Sequence, residues 1–359
     1  MNRHERRAAA SNSRAKGLPT QAGGVAEAIN NGIAAINAGK YQEAEQLFRQ
    51  MLKADPNMAE AKHQLGTVLA RTGRADEGIR YLREATAARP KEALYWSNLA
   101  AACYIAHDSE GAIEASRHAV ALQPDYGLAW DNLASSLMDR GDFAEAIPAF
   151  DKAIALGAGD LESMKRLSSC YFGIEDYANA IRVMRDVLAR QGDDVEILAS
   201  LGAALLETKD FDAAKDALAK AAALNADHFP TAYHYSRALR LTGDAVSGLR
   251  WLRRATSADP RNPIAWRDLA EALFDAGETN DAKVAIERAV SLAPNAPSVR
   301  QVADRIIGPI AVSETPAGLN FGDIGSFAPL NLTPGAADKA KTPEAGQGVV
   351  DLSVLKIGS

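Results

Sequence analysis

The chain has 359 residues, 46 acidic against 40 basic side chains for a net charge of −6, two cysteines, and 47% hydrophobic but only 6% aromatic content. That acidity argues against a nucleic-acid binder, which normally carries basic charge over a whole face. The hydrophobic fraction suffices for a continuous core, and low aromatic content with abundant alanine suits close helix packing rather than a sheet.

Residues 1–24 carry Arg3, Arg6, Arg7, Arg14 and Lys16 against the single Glu5, a net +4, and read as a disordered basic arm. No apolar run of signal-peptide length follows, and no stretch of 18 apolar residues occurs later, so the expectation is a cytoplasmic protein without a membrane span. The opening "MNRHERRAAA" is similar to short basic starts on bacterial cytoplasmic proteins.

From Val25 the sequence repeats. Trp96 and Trp130 lie 34 residues apart, as do Leu99 and Leu133; Pro56, Pro90 and Pro124 keep the same step, and so do Pro260 and Pro294. Ala158, Gly192 and Ala226 occupy the intervening proline positions. Cutting at Val25 gives eight blocks of 34 residues ending at Ala296, without insertions. A fixed period of this size marks a solenoid, so the length that alone suggests two domains reads instead as one array whose units touch only their neighbours. Position 20 is always small (Ala44, Gly78, Ala112, Ala146, Ala180, Ala214, Gly248, Ala282), position 27 nearly so, and large residues such as Phe48, Leu82, Phe150, Leu218, Leu252 and Ile286 stand between them. Small beside large at constant register lets two helices interlock, so each block is expected to be a helical hairpin.

The fourth block (Trp130, Leu133, Ala134, Gly141, Phe143, Ala146, Phe150, Ala153) and the eighth (Trp266, Leu269, Ala270, Leu273, Gly277, Ala282, Ile286, Ala289, Pro294) carry the pattern most fully. On these residues the chain resembles the tetratricopeptide repeat family over roughly three quarters of its length. The resemblance implies an all-α, right-handed superhelical solenoid.

Apolar spacing places the two helices at roughly positions 1–14 and 16–28 of each block. Glycine at position 15 (Gly39, Gly73, Gly141, Gly243, Gly277) ends the first helix in a left-handed conformation. Pro148, early in a second helix, is expected to remove one backbone bond and bend that helix slightly. A last helix over 296–307 is expected to cap the array, and residues 308–359 read as a flexible tail rich in proline and glycine. The tail is not purely polar: Leu319, Phe321, Ile324, Phe327, Leu330 and Leu332 form one apolar cluster, and "VVDLSVLKI" another.

Nothing in this pattern points to catalysis, a metal or a cofactor. Cys103 and Cys170 fall near the buried seam of first helices and are expected to be structural. The six histidines form no cluster and read as surface residues; the carboxylates read as solvated helix faces. A nucleotide loop would need a strand before its glycines, and none is expected. The expected role is therefore that of a surface.

In the family, positions 2, 5, 9, 12 and 13 of the first helix line the concave groove. Carried over, position 12 reads Ile36, Ala70, Tyr104, Met138, Phe172, Leu206, Arg240 and Phe274, a nearly continuous apolar stripe, and position 5 of the fourth block is Asp131. Position 6 reads Asn30, Gln64, Asn98 and Asn132 in the first four blocks. Carboxamides can hold both the donor and the acceptor of an extended peptide, or simply bond neighbouring helices. A similar asparagine ladder marks the repeat region of O-linked N-acetylglucosamine transferases, which implies peptide holding here, with too little chain after Ile307 for a transferase domain. The family's carboxylate clamp for chaperone peptides is disfavoured, because Ile29 and Ile33 stand where polar clamp residues are needed. The seventh block is basic, and Arg237, Arg240 and Arg267 form a candidate anion patch, with solvated helix surface as the alternative.

The sequence thus predicts a non-enzymatic protein-interaction scaffold that binds a peptide of a partner along Tyr104, Met138, Phe172, Leu206 and Phe274, steadied by Asn98 and Asn132. Two alternatives stand beside it: a non-catalytic subunit that recruits substrate for a separate enzyme such as a protein glycosyltransferase, and self-assembly of tail into groove.

Overall fold

The computed structural model describes residues 22–308; residues 22–24 of the expected arm open the first helix, and the rest of the arm and the tail beyond Gly308 lie outside the described residues. Seventeen α-helices and no strand occur among the described residues. The first helices of successive blocks are α1 (Ala22–Asn37), α3 (Ala59–Arg71), α5 (Ala93–Ile105), α7 (Gly127–Arg140), α9 (Leu161–Gly173), α11 (Val195–Glu207), α13 (Phe229–Leu241) and α15 (Pro263–Asp275). Their partners are α2 (Tyr41–Ala54), α4 (Ala75–Ala88), α6 (Ser109–Leu122), α8 (Phe143–Ala155), α10 (Tyr177–Gln191), α12 (Phe211–Leu224), α14 (Ala245–Ala258) and α16 (Thr279–Leu292), and α17 (Pro297–Ile307) follows. Every helix from α2 onward starts 34 residues after its counterpart in the preceding block. The second helix starts at position 17 and runs to about position 30, somewhat later than the apolar spacing alone suggests.

The described chain forms two compact units, one ending at Gly159 and the other beginning at Asp160. The division falls beside Ala158, where a closing proline is replaced. In the first unit Ala44, Phe48 and Met51 of α2 are buried against Leu65, Val68 and Leu69 of α3. In the second, Leu252, Leu269, Leu273 and Ile286 share a core with Val299, Ala303 and Ile306 of α17. The spacing of those three residues puts the apolar face of α17 inward, while Gln301, Asp304 and Arg305 stay exposed.

Two recurrent bonds and one recurrent turn explain the periodic residues. The indole Nε1 of Trp96, Trp130 and Trp266 donates to the carbonyl of the proline six residues earlier (Pro90, Pro124, Pro260) at 2.9–3.0 Å. Arg300, at the same register in α17, donates to Pro294 at 2.7 Å. The position-15 glycines take φ of 72–93°, and His107, Glu175 and Lys209 adopt the same left-handed turn where glycine is missing. One residue later, Asp108, Asp176, Asp210 and Asp244 accept a hydrogen bond from the backbone N–H three residues on and cap the second helix. These four carboxylates were expected on solvated faces; their place after the turn makes them caps instead. Pro148 lies within α8 and, having no N–H, gives no helical hydrogen bond to the carbonyl of Ala144, an exposed residue.

Candidate functional site

In the first unit the position-6 carboxamides are already engaged. Asn98, buried on α5, donates through Nδ2 to His63 Nε2 at 2.8 Å and lies 3.4 Å from Thr67 Oγ1. Asn132 on α7 donates to the carbonyl and hydroxyl oxygens of Ser97, at 3.3 and 3.2 Å. Tyr233 donates to Asp268 at 2.6 Å in the second unit. All three pairs join position 5 of one first helix to position 6 of the next, 35 residues on. In these bonds the asparagines tie neighbouring first helices together, one of the two roles open to them. Asp131 is half-buried on α7.

The position-12 stripe is not continuous. Met138 is 8% and Leu206 2% exposed, and Ile36 and Ala70 are buried with them. Tyr104 is half-buried beside the core of α4 and α5. Phe172 is half-buried, its ring edge-on to Tyr177 at 5.2 Å. Phe274 lies under the Arg305 guanidinium at 5.3 Å, so α17 covers part of it.

Two histidines expected at the surface are buried. His63 stacks on Tyr95 at 4.1 Å, and burial lowers its pKa to about 4 against the opposing pull of Glu60. Burial, with the positive charge of Arg237 and then His228, lowers His234 to about 4 as well. Cys103 and Cys170 are buried as expected, and burial pushes both thiols up to about 12.

The second unit holds an open cavity of about 1150 Å³ on its first-helix side. Its walls use the register carried over from the family: Ile264 at position 2, Tyr233 and Arg267 at 5, Ala203, Arg237 and Glu271 at 9, Phe172 and Arg240 at 12, Glu207, Leu241 and Asp275 at 13. Tyr177, Val246 and Leu249 complete it from second helices. Leu241 is 47% and Val246 73% exposed, unusual for large apolar side chains in one place. Val246 was overlooked in the sequence, although other blocks carry polar residues or alanine at position 18 and the valine stands out.

All three arginines of the candidate anion patch line this cavity, and two of them are held in ion pairs. Arg237 pairs with Glu207 at 2.8 Å and Arg267 with Asp268 at 2.5 Å. Across the seventh block Arg253 and Arg254 are paired with Glu278 and Asp227 in the same way. Arg240 has no ion pair among the described residues; its aliphatic stem packs on Gly248 and it is half-buried at the cavity wall.

A sequence model described as Tetratricopeptide repeat matches residues 35–103, 175–240 and 239–306, and a second of the same description matches 106–160 and 131–194. Two curated relatives from Komagataeibacter xylinus, "Cellulose synthase operon protein C" and "Cellulose synthase 1 operon protein C", are each 36% identical over 80 and 92 residues. Those stretches are 22% and 26% of this chain and only 6% and 7% of the relatives' length. Among solved structures, the C-terminal part of a TPR repeat-containing protein from Cytophaga hutchinsonii is similar with a TM-score of 0.54 at 13% identity, covering 67% of this chain and 98% of that one. The APC/C hetero-tetramer Cut9-Hcn1 is similar with a TM-score of 0.50 at 15% identity, covering 85% and 59%. Both likenesses concern the fold, an all-α repeat solenoid. No helix among the described residues is long and apolar enough to cross a membrane.

Proposed function

The chain belongs to the tetratricopeptide repeat family, and from that premise we propose that it is a non-enzymatic scaffold holding a peptide segment of a partner protein in the cavity of its second unit. The observation that carries this reading is the concentration of unburied apolar surface, Phe172, Leu241, Val246 and Leu249, at one concave site walled by the groove register. Burying one such side chain against a partner stabilises a complex by roughly 1.5–3 kcal/mol before ordering costs. Three or four together offset those costs enough for binding of about micromolar strength. On this reading Asn98 and Asn132 serve as struts between first helices rather than as the peptide grip, and Tyr104 adds a separate half-buried ring in the first unit.

A photo-crosslinking amino acid placed at Val246 tests the proposal. Val284 on α16 is 66% exposed and does not line the cavity, so it is the matched control. Cross-links to a discrete partner from Val246 and not from Val284 support the cavity; equal capture from both sites removes it.

A second reading, a non-catalytic subunit that directs a separate enzyme, draws on the two relatives named for cellulose synthase operons. It expects a glycosyltransferase to co-purify in fixed stoichiometry, and its absence from the purified complex would exclude this reading.

A further inference from the structure

We propose that the cavity of the second unit is occupied, in the absence of a partner, by residues 319–332 of the same chain, with the Asp323 carboxylate set against Arg240. The proposal rests on reading that cavity as a peptide-holding site. Its first support is charge. The cavity wall carries Arg237, Arg240 and Arg267 together with six carboxylates, of which Glu207, Asp268, Glu271, Asp275 and Glu278 are held in ion pairs with Arg237, Arg267, Arg305 and Arg253; among the described residues this leaves one wall cation, Arg240, and one wall carboxylate, Glu175, without an ion pair. The segment "LNFGDIGSFAPLNL" contains a single ionisable side chain, Asp323, with Phe321 and Ile324 close on either side. Arg240, next to the exposed Leu241 and on the wall shared with Val246 and Leu249, can take one carboxylate flanked by apolar side chains. A charge-assisted, bidentate pair of this kind is stronger than a neutral hydrogen bond.

The second support is reach. Ser298, in the first turn of α17, lines the cavity, and α17 ends at Ile307. At a rise of about 1.5 Å per residue Ile307 lies within roughly 14 Å of Ser298. The chain from Ile307 to Leu319 spans up to about 40 Å when extended, enough to double back to the cavity. A segment tethered this closely is present at an effective concentration on the order of millimolar, so even modest affinity keeps the site filled. The other apolar cluster, "VVDLSVLKI", begins at Val349, about three and a half times as far along the chain from Ile307 as Leu319, so its effective concentration at the cavity is lower.

Hydrogen exchange of the full chain, read by mass spectrometry, tests this. The amides of 319–332 are expected to exchange about tenfold or more slowly than those of a synthetic peptide of the same sequence. Arg240→Glu or Asp323→Arg removes that protection, and the two together restore it. Exchange at the free-peptide rate, protection that survives Arg240→Glu, or protection found at 349–357 instead overturns the proposal. Protection that vanishes on dilution also overturns it, because the occupant would then come from a second copy. Asp323 lies outside the described residues, and the melting of its variant is measured beside that of the intact chain. Partner cross-linking from Val246 separates this proposal from the one it rests on: it should rise in Asp323→Arg if the tail competes, and stay unchanged if the cavity holds partners but never the tail.

Discussion

The Asn98 carboxamide lies 2.8 Å from the imidazole Nε2 of His63, which sits 35 residues earlier on the preceding first helix and is fully buried. With Nε2 accepting, Nδ1 carries the proton, 4.0 Å from Glu60. Removing the carboxamide leaves a buried acceptor without its donor, which costs roughly 1–3 kcal/mol. Asn98→Ala should therefore lower the denaturation midpoint while leaving partner capture at the second unit unchanged. A variant that melts like the intact chain but loses its partner would return Asn98 to the role of peptide grip.

Acid should soften both units. In the unfolded chain His63 and His234 take up a proton near pH 6.5, but in the fold only near pH 4. Between those values the unfolded state binds more protons, so stability is complete above pH 6.5 and falls as the pH drops toward 4. The lowered pKa of each buried imidazole thus makes the fold acid-sensitive over this window. His63→Gln, which keeps a polar partner for Asn98, should flatten the fall in melting temperature between pH 6.5 and 4. A slope identical to that of the intact chain would contradict this assignment.

The left-handed turns offer a gain in stability. Lys209 and His107 hold φ of 64° and 59° at the position that glycine occupies in other blocks. A non-glycine residue there is strained by about 1–2 kcal/mol, part of which glycine's greater freedom in the unfolded chain offsets. Lys209→Gly and His107→Gly should each stabilise by roughly 0.5–1 kcal/mol. The reverse change, Gly73→Ala, meets no atom within 4 Å and should destabilise through backbone strain alone. Chemical denaturation of the three variants checks both signs.

Much of the fold was legible because the decisive contacts are local and repeat. A Cβ added to Gly202 would meet Leu218 at 2.3 Å, and one on Gly32 would meet Phe48 at 2.4 Å. That small-against-large fit recurs at fixed offsets and shows in the sequence as a period of 34. The site was less legible because exposure and pairing depend on residues about thirty positions away. Leu206 and Phe172 share a register, yet one is core and the other half-open. Arg237 reads as free charge until Glu207 is placed beside it at 2.8 Å. The capping role of Asp210 and its equivalents lay open to a sequence reading, since an aspartate follows the turn residue in five blocks and caps in four of them, but a charged side chain there resembles any solvated face.

The most direct measurement is a native pull-down with mass-spectrometric identification, comparing the intact chain with Phe172→Asp and Val246→Glu, each checked for helicity and melting. Val246 is 73% exposed, so its substitution has no core to disturb. The account predicts that one partner is lost from both variants while Val246→Glu melts as the intact chain does. Capture of the same partners by all three would contradict it and place the binding surface elsewhere on the chain.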